Sequence, residues 1–190
     1  MNLLKTIAVA KLFIFGAFVA GLYGILHDQI TYSISPEYFT KMKFEQFHYA
    51  NFGFSKRILV AEIGFLATWW VGAFCAFFLA LIAVNLWPAK QAFRRVMPGI
   101  GIILACAAAT GVIFAIRGRL ISASELEEWV TYSFAYGLED LPAFVRVAFI
   151  HNGSYLGGLI GLIAAIGFLL FAKLRSKTKP AENPNPLGVG

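Results

Sequence analysis

The sequence predicts an all-α fold: a four-transmembrane-helix bundle with two short extracytoplasmic helices, one in each outer loop. Three observations lead there. Hydrophobic residues make up 59% of the 190 residues and charged residues only 14%, with a mean hydropathy of +0.72, which lies outside the range of soluble domains. Four apolar runs, at 6–26, 58–87, 97–116 and 143–172, are each long enough to cross a ~30 Å hydrocarbon core. Backbone amides in lipid must find partners within their own segment, and the period-2 alternation of a barrel strand is lacking, so the runs are helices. One membrane domain is expected over 1–179, with 180–190 (Pro-Ala-Glu-Asn-Pro-Asn-Pro and onward) as a disordered cytoplasmic tail.

The run 6–26 follows Lys5 and resembles a secretory leader at first sight. It is longer than the usual apolar core of a leader, about 7–15 residues, and no small-x-small cleavage site precedes His27-Asp28. It reads as a retained helix, with Lys11 extending its ammonium back to the nearer interface. In the loop 28–56, Ile30-Thr-Tyr-Ser-Ile34 alternates like a short extended segment. Ser35, Pro36 and Glu37 then supply an N-cap, a first-turn proline and an early acid, predicting a helix to about Ala50. Its Tyr38, Phe39, Phe44, Phe47 and Tyr49 suit the membrane interface.

The second run ends at Trp87. A short basic loop (Lys90, Arg94, Arg95) leads to the third. The loop 119–142 carries Ser124-Glu-Leu-Glu127, which fits a capping box, and a helix is expected through Trp129 to Tyr136 with Gly137 as C-cap. Pro142 starts the last helix, which closes on Lys173, Arg175, Lys177 and Lys179. Basic residues thus gather at the N-terminus, the middle loop and the tail, while Glu125, Glu127, Glu128, Glu139 and Asp140 mark the third loop. The positive-inside rule places both termini in the cytoplasm, a balance that Lys41, Lys43, Lys56 and Arg57 in the first outer loop weaken without reversing. The net charge of +6 is then a topology and anionic-lipid signal and argues against nucleic acid as a partner.

A layer of ionisable residues lies at the opposite ends of the runs: His27, Asp28, Glu62, Arg117 and His151. Each stands roughly 22 to 25 residues from the anchor at its other end, or about 33–38 Å along a helix, near the far edge of the hydrocarbon. Costly side chains at one depth point to a site. One reading is a polar network or proton relay of Glu62, Arg117, His151 and Asn152, in which Glu62 pairs with Arg117 or Arg146 and His151 donates to a carboxylate or carbonyl. The other is a divalent transition metal held by residues drawn from Glu45, His48, Glu62, His151, His27 and Asp28. Glu45-x-x-His48 puts a carboxylate and an imidazole on one helical face, and such ligands suit zinc, iron, copper or manganese. His27 and His151 also permit a single bis-histidine haem.

Gly153, Gly157, Gly161 and Ala165 form a small-residue stripe, as do Gly16, Ala20 and Gly24. They predict close helix packing within the bundle or across a homodimer. His151 points away from the stripe, on the side of Ser154, Tyr155 and Gly158. Cys75 and Cys106 lie mid-membrane without a C-x-x-C motif and read as inert thiols. No phosphate-binding loop, nucleophile elbow, zincin motif or dinucleotide fingerprint occurs.

Two segments, Asp28-Gln-Ile-Thr-Tyr-Ser-Ile-Ser-Pro-Glu-Tyr-Phe-Thr-Lys-Met-Lys-Phe-Glu-Gln-Phe47 and His151-Asn-Gly-Ser-Tyr-Leu-Gly-Gly158, resemble an uncharacterised family of small bacterial four-helix integral membrane proteins. They cover about 28 of the 190 residues, and the resemblance implies a bacterial inner-membrane protein without adding an activity. The leading functional reading is a non-catalytic membrane component whose polar network fastens the outer loops to the bundle. The alternative is a metal-binding or proton-handling protein with a Glu/His site at the outer face, an enzyme among them. A single b-type haem protein or a transporter subunit follows.

Overall fold

The computed structural model describes residues 2–178. Four long helices fill it: α1 (Leu3–Ile34), α3 (Lys56–Leu86), α4 (Ala89–Arg119) and α7 (Leu141–Thr178). All four are long and apolar enough to span a membrane. Each extends past its apolar run into the flanking polar sequence, so the helices project beyond the hydrocarbon at both ends. Between α1 and α3 lie a π-helical segment (Tyr38–Lys43), a single turn α2 (Phe44–Gln46) and a 3₁₀ turn (His48–Ala50). Two short helices, α5 (Ala123–Glu127) and α6 (Val130–Tyr136), join α4 to α7. The expectation for the tail at 180–190 lies outside the described residues.

Local chemistry explains where the elements depart from expectation. Residues 30–34 are the last turns of α1 rather than an extended segment. Thr31 Oγ1 donates to the His27 carbonyl at 3.1 Å and Ser33 Oγ to the Gln29 carbonyl at 3.0 Å, so these hydroxyls turn back onto the helix. Ser35 closes α1, its N–H bonding to the Thr31 carbonyl at 3.0 Å, and its buried hydroxyl has no partner, so it does not act as the expected side-chain cap. The capping box in the third loop forms two residues earlier than its best text match. Ser122, not Ser124, is the cap, and it exchanges hydrogen bonds with Glu125. The helix expected from 124 to 136 breaks at Glu128–Trp129 into α5 and α6. Gly137 adopts φ +58° and ends α6, a conformation that glycine takes without strain.

The helices pack as two antiparallel hairpins, α1 with α3 and α4 with α7. Small residues permit this. A Cβ on Gly24 would strike the Gly64 carbonyl and Thr68 Oγ1, and one on Gly16 would strike Ala76 and the Gly72 carbonyl. Thr68 Oγ1 bridges the pair, donating to the Ala20 carbonyl at 2.7 Å and the Gly64 carbonyl at 2.8 Å. In the second hairpin Gly153 lies against Phe114, Gly157 against Thr110 and Cys106, and Gly161 against Ile103. The last-helix stripe is therefore filled by α4 of the same chain. Cys75 is buried, Cys106 half-buried, and both are free thiols.

The hairpins meet each other mainly at their two ends. At the basic end, Val9, Leu12, Leu79, Val96, Ala165 and Leu169 form one core. There the Trp87 ring is flanked by the Arg95 guanidinium at 5.0 Å and the Lys173 ammonium at 5.5 Å. At the other end Tyr38, Phe39, Val60, Phe144 and Val147 form a second core beneath the loops. The Glu37 carboxylate joins the two loops, accepting from the N–H groups of Glu139 (3.0 Å) and Asp140 (2.8 Å) just before α7 begins. A negative charge at a helix N-terminus is favourably placed.

Candidate metal centre at the seam between the hairpins

Asp28 is the hub of the polar layer. It lies on α1, three residues before the hydroxyl of Thr31 and one after His27, and is 3% exposed. Its Oδ1 lies 3.0 Å from His27 Nδ1 and 3.2 Å from His151 Nε2 on α7. The two imidazoles meet edge to face with centroids 4.7 Å apart. His151 is buried, and its Nδ1 lies 3.0 Å from the Val147 carbonyl one turn back. His27 Nε2 lies 3.2 Å from Ser154 Oγ.

Counting protons in this cluster gives a definite result. A carbonyl oxygen only accepts, so His151 Nδ1 carries the hydrogen that it donates to Val147. A neutral His151 then has a lone pair at Nε2, aimed at a carboxylate oxygen that also holds lone pairs. That approach is stable only with a proton, carried by the ring or by the carboxyl group, or a metal ion between them. The donor set fits a metal. His27 Nδ1, Asp28 and His151 Nε2 offer ligand atoms that all lie within 4.8 Å of one another. The separations of 3.0 and 3.2 Å from the carboxylate to the two rings match two edges of a site with metal–ligand bonds of about 2.0–2.2 Å. Each ring's remaining nitrogen already faces an acceptor, Val147 O or Ser154 Oγ, the outer arrangement that orients ligating histidines. Two histidines and one carboxylate on one side of an ion leave further positions open, as in zinc and non-haem iron sites. A haem does not fit, because the Asp28 carboxylate occupies the space between rings that a porphyrin would need.

The loop over the centre supplies its roof. The Tyr38 ring stacks on His151 with centroids 4.8 Å apart at 27°, and the Phe39 ring lies 6.2 Å away. Both belong to the π-helical segment, whose wider turn brings two successive aromatic side chains inward. Burial pushes the Tyr38 phenol far above its ordinary range. Lys43, whose ammonium lies 5.9 Å from the Tyr38 ring centre, is held below the usual lysine range by the same burial. Arg57 ties α3 to the end of α1, donating to Gln29 Oε1 at 3.1 Å and Ser33 Oγ at 3.1 Å, with its guanidinium 4.7 Å over the Tyr32 ring.

The other sequence candidates lie apart from this centre. Arg117 pairs with Glu125, so the pairing expected between Glu62 and Arg117 is replaced by a local one across the α4–α5 turn. Arg146 does not take up Glu62 either. Its buried Nε lacks a partner, as does Glu62 Oε2, which borders a small apolar recess with Ile25, Ile58, Phe65 and Leu66. Ile63 and Val60 occupy the inward face of α3 and leave Glu62 at the side. Glu45 and His48 are exposed, and His48 Nδ1 donates to the Glu45 carbonyl at 3.0 Å rather than joining a shared ligand set. Asn152 is exposed, about 100° round α7 from His151. Sequence reading passed over Ser154 as a partner of His27 and Tyr38 as the roof. The signal for Ser154 was its place on the same helical side as His151.

Residues 28–47 and 151–158 meet here through Asp28–His151 and Tyr38–His151, and His27, one position before the first segment, reaches Ser154. No family model, no curated protein and no solved structure matches the chain.

Proposed function

We propose that this is a multi-pass bacterial inner-membrane protein that binds one divalent transition metal ion at His27, Asp28 and His151. The observation that carries the reading is the orientation of His151. Its Nδ1 hydrogen is committed to Val147, so its Nε2 lone pair faces Asp28 with room for a metal ion or a proton between them. Both loops fold over that end, and the acidic third loop lies opposite the basic end formed by Lys5, Lys90, Arg94, Arg95 and Lys173. Sidedness then follows the basic residues, with both termini in the cytoplasm and the centre near the outer face. Nitrogen and carboxylate donors favour zinc, iron or manganese over calcium.

Elemental analysis of protein purified without a His tag tests this. The expected result is about one zinc, iron or manganese per chain, since a fixed three-residue set holds one ion. His151→Ala removes that metal, and the double variant Glu45→Gln/His48→Ala retains it. Metal-free protein whose unfolding is unchanged by chelator overturns the reading. In that case the proton would be the cation, and the cluster a clasp within a non-catalytic membrane component.

A further inference from the structure

We propose that the groove between α1 and α4 binds a single-chain amphiphile from the bilayer, a hydrocarbon chain that ends in a neutral hydroxyl or carbonyl head seated at Ser154 and His27. A cavity of about 330 Å³ runs there, bounded by Tyr23, Ile30, Ala108, Val112 and Ile150, with His27 and Ser154 at its floor. That volume is at the lower end of the range for small-ligand pockets, about 300–1,000 Å³.

The position of the mouth identifies the supply. Its rim residues Leu26, Ile30 and Val112 are 67%, 64% and 61% exposed and belong to helices that can cross a membrane. An apolar mouth at that depth opens to lipid tails. On the aqueous side the neighbouring His151 is roofed by the stacked Tyr38 ring, with Phe39 6.2 Å away. A ligand reaching His27 therefore arrives sideways, from the membrane.

The floor identifies the head group. No lysine, arginine, aspartate or glutamate borders the cavity, so a phosphate or carboxylate would enter it unpaired. Ser154 Oγ has one donor and two lone pairs; His27 Nε2 and the Tyr23 phenol engage two of the three, which leaves one for a ligand. A hydroxyl or carbonyl matches that. Gly111 keeps the passage open: a Cβ there would come within 2.6 Å of Ser154 Oγ. The proposal is independent of the metal reading, since Ser154 faces His27 Nε2 whether Nδ1 meets a metal or only Asp28.

Photolabelling of the full chain in phosphatidylcholine vesicles tests it. Three probes are used: hexadecanol, hexadecanoic acid and a headless hexadecane, each with a mid-chain diazirine. Labelled residues are mapped by peptide mass spectrometry. The alcohol is expected to label Leu26, Ile30 and Val112 above other lipid-facing positions such as Phe74 and Ile163. Ser154→Ala should lower groove labelling by the alcohol about fivefold, the worth of one neutral hydrogen bond, and leave labelling by the hydrocarbon unchanged. Ala108→Phe, or Val112→Phe if that variant does not fold, should block all three probes in the groove while metal content stays at the wild-type level. Even labelling over every lipid face, preference for the acid, or indifference to the blocking variant would overturn the proposal.

Discussion

His151 Nε2 lies 3.2 Å from Asp28 Oδ1 while the other nitrogen of the same ring is already engaged by Val147. Two residues 123 positions apart in sequence thereby join the two helical hairpins. The stability of that end of the molecule and metal binding at the proposed centre are both expected to depend on the carboxylate.

The two roles separate in variants of Asp28. Asp28→Ala leaves His151 without a partner and is expected to cost about 3–5 kcal/mol, as for other broken buried pairs. In Asp28→Asn the amide can donate to the Nε2 lone pair of a neutral ring, so most of the stability returns. The anionic ligand is still gone, and metal is lost. Denaturant unfolding in detergent followed by circular dichroism, together with metal analysis, reads both. Equal instability of the two variants would contradict the proton count.

Packing within a hairpin is tested at Gly24. An alanine there meets a backbone carbonyl and Thr68 Oγ1, neither of which can withdraw without parting α1 from α3. The expected loss is about 1–3 kcal/mol. Gly167 has open space where its Cβ would stand, and Gly167→Ala should gain up to about 1 kcal/mol from helix propensity. Thermal unfolding of both variants side by side decides it.

Glu62 behaves oppositely to Asp28. Its Oε2 has no partner among apolar neighbours, so Glu62→Leu relieves an unmet cost and is expected to raise stability by about 1 kcal/mol. Metal content should not change. A loss of metal or of several degrees in melting temperature would show that Glu62 acts on the centre.

Acid should loosen the third loop before the bundle. The Ser122 N–H and hydroxyl, and then the Arg117 guanidinium, hold the Glu125 carboxyl below the usual carboxylate range. Its folded value is depressed, so the stabilisation is present above the ordinary carboxylate range. It disappears as pH falls through the folded value. Protection factors at the Ser122–Glu127 amides, taken relative to the intrinsic exchange rate at each pH, should fall over that acid window, and Glu125→Gln should remove that fall.

Much of this architecture was legible because its signals are local. Run length gave the four spans, four-residue spacing of glycines gave the close-packed faces, and Gly137 marked the end of α6. The weaker local signals misled. Alternation in Ile30–Ile34 looked extended, although Thr31 and Ser33 hydroxyls bond within the helix, and a second Ser-x-x-Glu competed with the one that caps. The depth of the polar layer was also readable, and His27, Asp28 and His151 were among its members. Which of them meet was not readable, because that depends on helix rotation. Gly24 against Gly64 sets how α1 turns on α3, and that setting directs Asp28 inward while Glu62 stays at the flank. The burial of Tyr38 depends on the π turn, which no composition rule marks.

Each hairpin completes its own tight interface through its glycines, so each can insert and close before the other arrives. His27 and Asp28 travel with the first half, His151 and Ser154 with the second. The proposed ligand set would therefore come into being only when the halves dock, and cation binding would report finished assembly: an intermediate with both hairpins inserted but apart would have nothing to hold an ion.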